Sequence, residues 1–191
     1  FPAMETNKPS QPVVTLASKL GTTAHISLLL KSAAKCGLLT LHDFHTLTVQ
    51  RGCRHYWQGD EPAGELVSEK DFSNEELAIA MLSVAQPYDP HLIRCGAAML
   101  GAKGNSPEKL AFLATKERCE QVVRYIAEAG RHFEPENAFW TTLLQLLPDA
   151  PPVRDGVLPH PTRFVAMTGY QRGVGKKFQS EWQRPQRHKA A

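Results

Sequence analysis

Three start signals constrain the fold more than any other feature of the chain: Ser73-Asn-Glu-Glu76, Asp89-Pro90 and Ser106-Pro107-Glu108. Each sets a helix N-cap residue directly before an apolar run of helical spacing. Ser73 with Glu76 is a capping box, in which each side chain satisfies the other residue's main-chain N–H. Leu77, Ala78, Met81, Leu82 and Ala85 follow it, and Pro87 ends the run. Asp89 and Ser106 each precede a proline at the first helical position, where the missing N–H costs nothing. The first predicts burial of Leu92, Ile93, Ala97 and Leu100, with Gly101 or Gly104 as the stop. The second predicts Leu110, Ala111, Leu113 and Ala114.

A turn near Thr115 to Arg118 then leads to a helix with Cys119, Val122, Val123, Ile126 and Ala129 on one face, ending at Gly130. Pro135 and Glu136 start a last helix with a broad apolar stripe through Phe139, Trp140, Leu143, Leu144 and Leu147. That stripe reads as core. Upstream the pattern turns helical from Thr23, with Ile26, Leu29, Leu30 and Ala33 in register and Gly37 as a left-handed cap. Thr40 and Asp43 resemble a second capping box ahead of Leu41, Phe44 and Leu47 or Thr48, although the β-prone Thr46-Leu47-Thr48-Val49 leaves a short hairpin open. Residues 52–72 read as an exposed connection with Tyr56 and Trp57 tucked back.

The expected fold is therefore an all-α bundle of six or seven helices over residues 23–147, behind a flexible lead-in over 1–22. Five prolines at 148, 151, 152, 159 and 161 forbid continuous helix beyond it. Residues 148–191 read as a proline-rich linker, or an arm lying on the bundle, and a basic tail. At 191 residues with 42% hydrophobic and 21% charged content, one domain with tails is the natural size. A net charge of +3 leans only mildly toward anionic partners. No apolar run approaches the roughly 20 residues of a membrane-spanning helix. Four scattered cysteines without a C-x-x-C pair point to a reducing, cytoplasmic setting.

Three patterns carry possible function. Residues 90–130 fit a helix-turn-helix, with Pro107 to Ala114 as the brace and Arg118 to Ala129 as the reading helix. With the valines inward, Arg118, Gln121, Arg124 and Tyr125 face outward. Arginine and glutamine are the residues that bond guanine and adenine edges in bidentate fashion. Glu117 and Glu120 on the same turn would repel phosphates, and the turn lacks a glycine. In the tail, Arg172, Lys176, Lys177, Arg184, Arg187 and Lys189 face one acid, Glu181, with Tyr170, Phe178 and Trp182 among them. That composition suits phosphate contacts and base stacking.

The third pattern is His42, His45, Cys53 and His55, all residue types that bind zinc. Their spacing matches no zinc motif, so no metal or cofactor is expected. No nucleophile elbow or dinucleotide loop is present, and the residues lean away from an enzyme. The leading expectation is a nucleic-acid-associated protein, binding double-stranded DNA through Arg118, Gln121, Arg124 and the tail. The alternative is a helical protein-interaction or scaffold subunit. The sequence fixes neither a target nor an oligomeric state.

Overall fold

A computed structural model describes residues 12–53 and 64–165. Among them the architecture is all-helical: α1 Leu16–Leu20, α2 Leu28–Lys35, α3 Leu41–Gln50, α4 Asn74–Leu82, α5 Pro90–Leu100, α6 Pro107–Lys116, α7 Glu120–Phe133, α8 Ala138–Leu146 and α9 Pro161–Val165. Strands are absent from the described residues, apart from a single antiparallel bridge between Thr15 and Pro87. Helix α4 is buried on every side and pairs most extensively with α5. Helices α7, α8 and α6 form the second half of the bundle.

The local start signals behave as local chemistry requires. Ser73 accepts from the Glu76 N–H at 3.1 Å while the Glu76 carboxylate accepts from the Ser73 N–H at 3.2 Å. Thr40 and Asp43 form the same reciprocal pair, so the β-prone segment is helix and not hairpin. Asp89 and Ser106 cap α5 and α6 ahead of their prolines.

The structure differs from the sequence pattern at five places. The lead-in is not uniformly loose: Leu16 and Ala17 sit in the core, and Thr15 caps α1. Its main chain is tied down, with the Leu16 N–H donating to the Gln86 carbonyl and the Ala17 N–H to that of Val84. The helix expected from Thr23 begins at Leu28, because Ser27 captures the Leu30 N–H at 2.9 Å and Ile26 stays exposed. The last helix begins at Ala138 behind an Asn137 cap, not at Pro135. Within the connection after α3, Val67 and Phe72 are buried, held by the buried Arg51, which donates to the Val67 carbonyl and the Asn74 side chain. Tyr56 and Trp57 lie outside the described residues.

Gly130 is also not a stop. Helix α7 runs three residues past it, and a Cβ there would lie 2.3 Å from the Trp140 indole. The glycine lets α8 set its fully buried tryptophan against the α7 backbone. Gly96 does the same for α4, where a Cβ would lie 2.8 Å from Leu82.

One buried carboxylate joins the halves. Glu117, 3% exposed, accepts from the Leu29 N–H at 3.2 Å and from the Ser83 hydroxyl at 2.8 Å, with His25 Nε2 at 3.7 Å. From the C-terminal cap of α6 it thus reaches the N-terminal first turn of α2, the end at which the α2 dipole favours an anion.

Two measurements test this packing. Gly130→Ala forces the indole out of place, so chemical denaturation should show a loss of about 1–3 kcal/mol or more; an unchanged midpoint would contradict the close approach. Main-chain N–H bonds from Leu39 and Thr40 hold the Asp43 carboxyl below its ordinary 3.8. Its cap therefore stabilises the fold above that pH and is lost as the pH falls through the lower folded value. Asp43→Ala should cost about 1 kcal/mol near neutrality, with the difference from the parent protein shrinking in acid below 3.8.

Candidate interaction face on helix α7

Helices α6 and α7 are joined by Glu117, Arg118 and Cys119. Arg118 takes the left-handed conformation at φ 55°, alone among the described non-glycine residues, and its side chain is exposed. This is the position where a helix-turn-helix commonly carries glycine. Helix α7 buries Val122, Val123, Ile126, Ala127 and Ala129 as its spacing requires. Gln121, Arg124 and Tyr125 accordingly lie on the opposite side.

That side is not open. Residues 148–165 leave α8 and fold back as a strap across it. Arg124 directs one guanidinium nitrogen at the carbonyls of Leu144, Leu147 and Pro148, at 3.4, 2.9 and 3.1 Å, with the Asp149 carboxylate at 3.9 Å. The first two carbonyls belong to the end of α8 and its cap, so Arg124 also terminates that helix. The Gln121 amide donates to the Pro152 carbonyl at 3.3 Å. A turn at Gly156, with φ 82°, reverses the strap. The Tyr125 hydroxyl then donates to the Pro159 carbonyl at 2.8 Å and that of Tyr88 to the Val157 carbonyl at 2.7 Å. Leu158 and Phe164 are buried, and Phe164 stands edge-on to the Tyr125 ring. Burial and the nearby Asp155 hold the Tyr125 phenol above its ordinary 10, so it remains a donor throughout the neutral range.

Expectation and geometry diverge here in a specific way. Gln121 and Arg124 point outward as periodicity requires, yet both bond to the chain's own carbonyls, and the Arg124 side chain is only 21% exposed. Arg118 is the member of the set that stands exposed. Arg172, Lys176, Lys177, Arg184 and Arg187 lie outside the described residues. Between the turn and the start of the strap is a cleft of about 480 Å³, lined by Arg118, Glu120, Gln121, Thr115 and Asp149 among others. Tyr88 belongs to the face and was not singled out by the sequence, since nothing local marks a tyrosine whose partner is 69 residues away.

The histidine cluster is only partly assembled. His42 and His45 line a second cavity, of about 290 Å³, with Asp89, His91 and Cys95 from the start of α5. Cys53 is buried beside Cys95, and its thiol, together with burial, pushes the Cys95 thiol well above its ordinary value. Such a protonated thiol is a poor nucleophile. His55 lies outside the described residues, and among the described residues no three His, Cys, Asp or Glu side chains could together hold a metal ion. All four cysteines are free thiols, and no described helix is long and apolar enough to cross a membrane.

Comparison with known proteins finds no matching family model, no similar curated protein and no similar solved structure.

Arg124→Ala removes one charged donor from three carbonyls. It should lower stability by about 1–3 kcal/mol and hasten tryptic cleavage after Arg154 in the strap. Cleavage at the parent rate would show that Arg124 does not hold it.

Proposed function

We propose that the chain is a non-enzymatic helical interaction module, whose α7 face holds an extended polypeptide by its main chain. One observation carries this: Gln121, Arg124, Tyr125 and Tyr88 all donate to backbone carbonyls of a proline-bearing strap. Carbonyl recognition by side-chain donors is how several domains bind proline-containing segments, which lack some N–H groups but keep every acceptor. Fixed aromatic hydroxyls suit this role, because tyrosine orders at little conformational cost.

A second reading is nucleic-acid binding. The exposed, left-handed Arg118 in a three-residue turn between two helices favours it, as does the basic composition of residues 172–191. For Gln121 and Arg124 to reach base edges, the strap would first have to lift.

Binding of a labelled synthetic peptide of residues 148–165 separates the two. The receptor is the full chain carrying Leu158→Ala and Phe164→Ala, whose own strap is weakened. The module reading expects saturable binding that hardly responds to salt and falls about tenfold when Tyr88→Phe and Tyr125→Phe remove two donors. No peptide binding, with duplex DNA bound in a manner that weakens steeply with salt, would replace it with the second reading.

A further inference from the structure

We infer that two copies of this chain exchange straps, the α7 face of each holding residues 148–165 of the other. The inference rests on the interaction-module reading and adds the identity of the partner.

The attachments that hold the strap run to the bundle from its carbonyls, from the buried Leu158 and Phe164, and from the half-buried Val153 and Val157. The hydrogen bonds within it are short-range: the Val157 N–H to the Arg154 carbonyl, and the Arg163 and Thr162 N–H groups to His160. A strap arriving from a second copy would make the same set. Each copy thus carries both halves of a complementary pair, which is the condition for element exchange between identical protomers.

The connection back to the bundle favours opening. Leu147 leaves α8 in an extended conformation, with ψ 139°, directly before Pro148. Pro151 and Pro152 follow, and a residue that precedes proline is held away from helical and tightly turned geometry. Pro148, Asp149, Pro151 and Pro152 are all exposed, so straightening this segment uncovers no core. Anchorage beyond it is narrow. Leu158 and Phe164 are the strap's buried apolar side chains, while Arg154, Asp155, Gly156, His160 and Arg163 are exposed. The strap's one helix is α9, which packs on α5 and α7, so lifting the strap separates no pair among α2 to α8. It uncovers those two side chains, the half-buried Val153 and Val157 and the Tyr125 ring, an apolar surface that another copy would cover. Reciprocal exchange closes as a two-fold pair and leaves no strap or face unfilled. In dilute solution the tethered strap has the higher effective concentration and the closed monomer prevails, so exchange grows with protein concentration.

The test uses two full-length proteins in a Cys36→Ser background, because Cys36 is the half-buried thiol and the other three are buried. One carries Gln121→Cys, the other Pro152→Cys, at positions that face each other across the strap. They are mixed at low and high concentration, incubated, diluted and treated with a short bis-maleimide. Exchange predicts a covalent heterodimer whose yield rises at least several-fold with incubation concentration. The double variant, Gln121→Cys with Pro152→Cys in one chain, should close within itself when dilute. Intramolecular closure without any heterodimer after concentrated incubation overturns the exchange and leaves the module reading standing. Failure of the double variant to close shows that the strap does not lie on α7 and overturns both.

Discussion

Three main-chain carbonyls, those of Leu144, Leu147 and Pro148, converge on one guanidinium nitrogen of Arg124. The rest of the α7 face depends on this contact. A helix ends with carbonyls that lack partners inside the helix, and they must find donors or water. Here α8 ends on a cation from α7. The same cation receives the first carbonyl of the proline-bearing segment, so ending one helix and aiming the strap are a single event. Because α7 and α8 are locked by Trp140 against Gly130, the guanidinium meets those carbonyls at a fixed distance and the strap starts from a fixed point.

The strap then determines what α7 can do. An outward helical face with Arg, Gln and Tyr is chemically suited either to base edges or to peptide carbonyls, because both offer acceptors in a row. The carbonyls are supplied by the chain itself, adjacent in space and held by Leu158 and Phe164 in the core. Recognition through the main chain depends little on the identity of the bound residues, which suits a module that holds an extended segment. The cleft beside Arg118 and the cavity below His42 and His91 adjoin this bundle, but neither gathers groups of which three could hold a metal among the described residues.

What was legible in the sequence was what local chemistry decides. The capping boxes at Thr40 and Ser73, and the Asp89 and Ser106 caps before proline, involve atoms within three residues of one another, and they form. The inward stripe of α7 was equally plain from its spacing. Gly130 misled because its partner, Trp140, lies across a helix–helix contact and periodicity contains no such distance. Ile26 misled in the opposite sense, since its spacing suits a helix that Ser27 starts only afterwards. Leu16 and Ala17 are held by the carbonyls of Gln86 and Val84, some 70 residues on, which no reading of a polar lead-in could supply. Spacing turns Gln121 and Tyr125 outward but carries nothing of what they meet there, carbonyls 31 and 34 residues away. The five prolines rule out continuous helix beyond Leu147, where the short α9 at Pro161–Val165 is the one helix among the described residues, but they do not show where the strap lies.

The decisive property of the molecule is that the strap lies across α7 in solution. The most direct measurement is a distance distribution between two spin labels in the full chain, one at Glu128→Cys on exposed α7 and one at Arg154→Cys in the strap, with Cys36→Ser. A docked strap predicts one narrow, short distance that broadens when Arg124→Ala is added. A broad distribution reaching to long distances in the parent background would show a strap free of the helix, and would contradict the account at its centre.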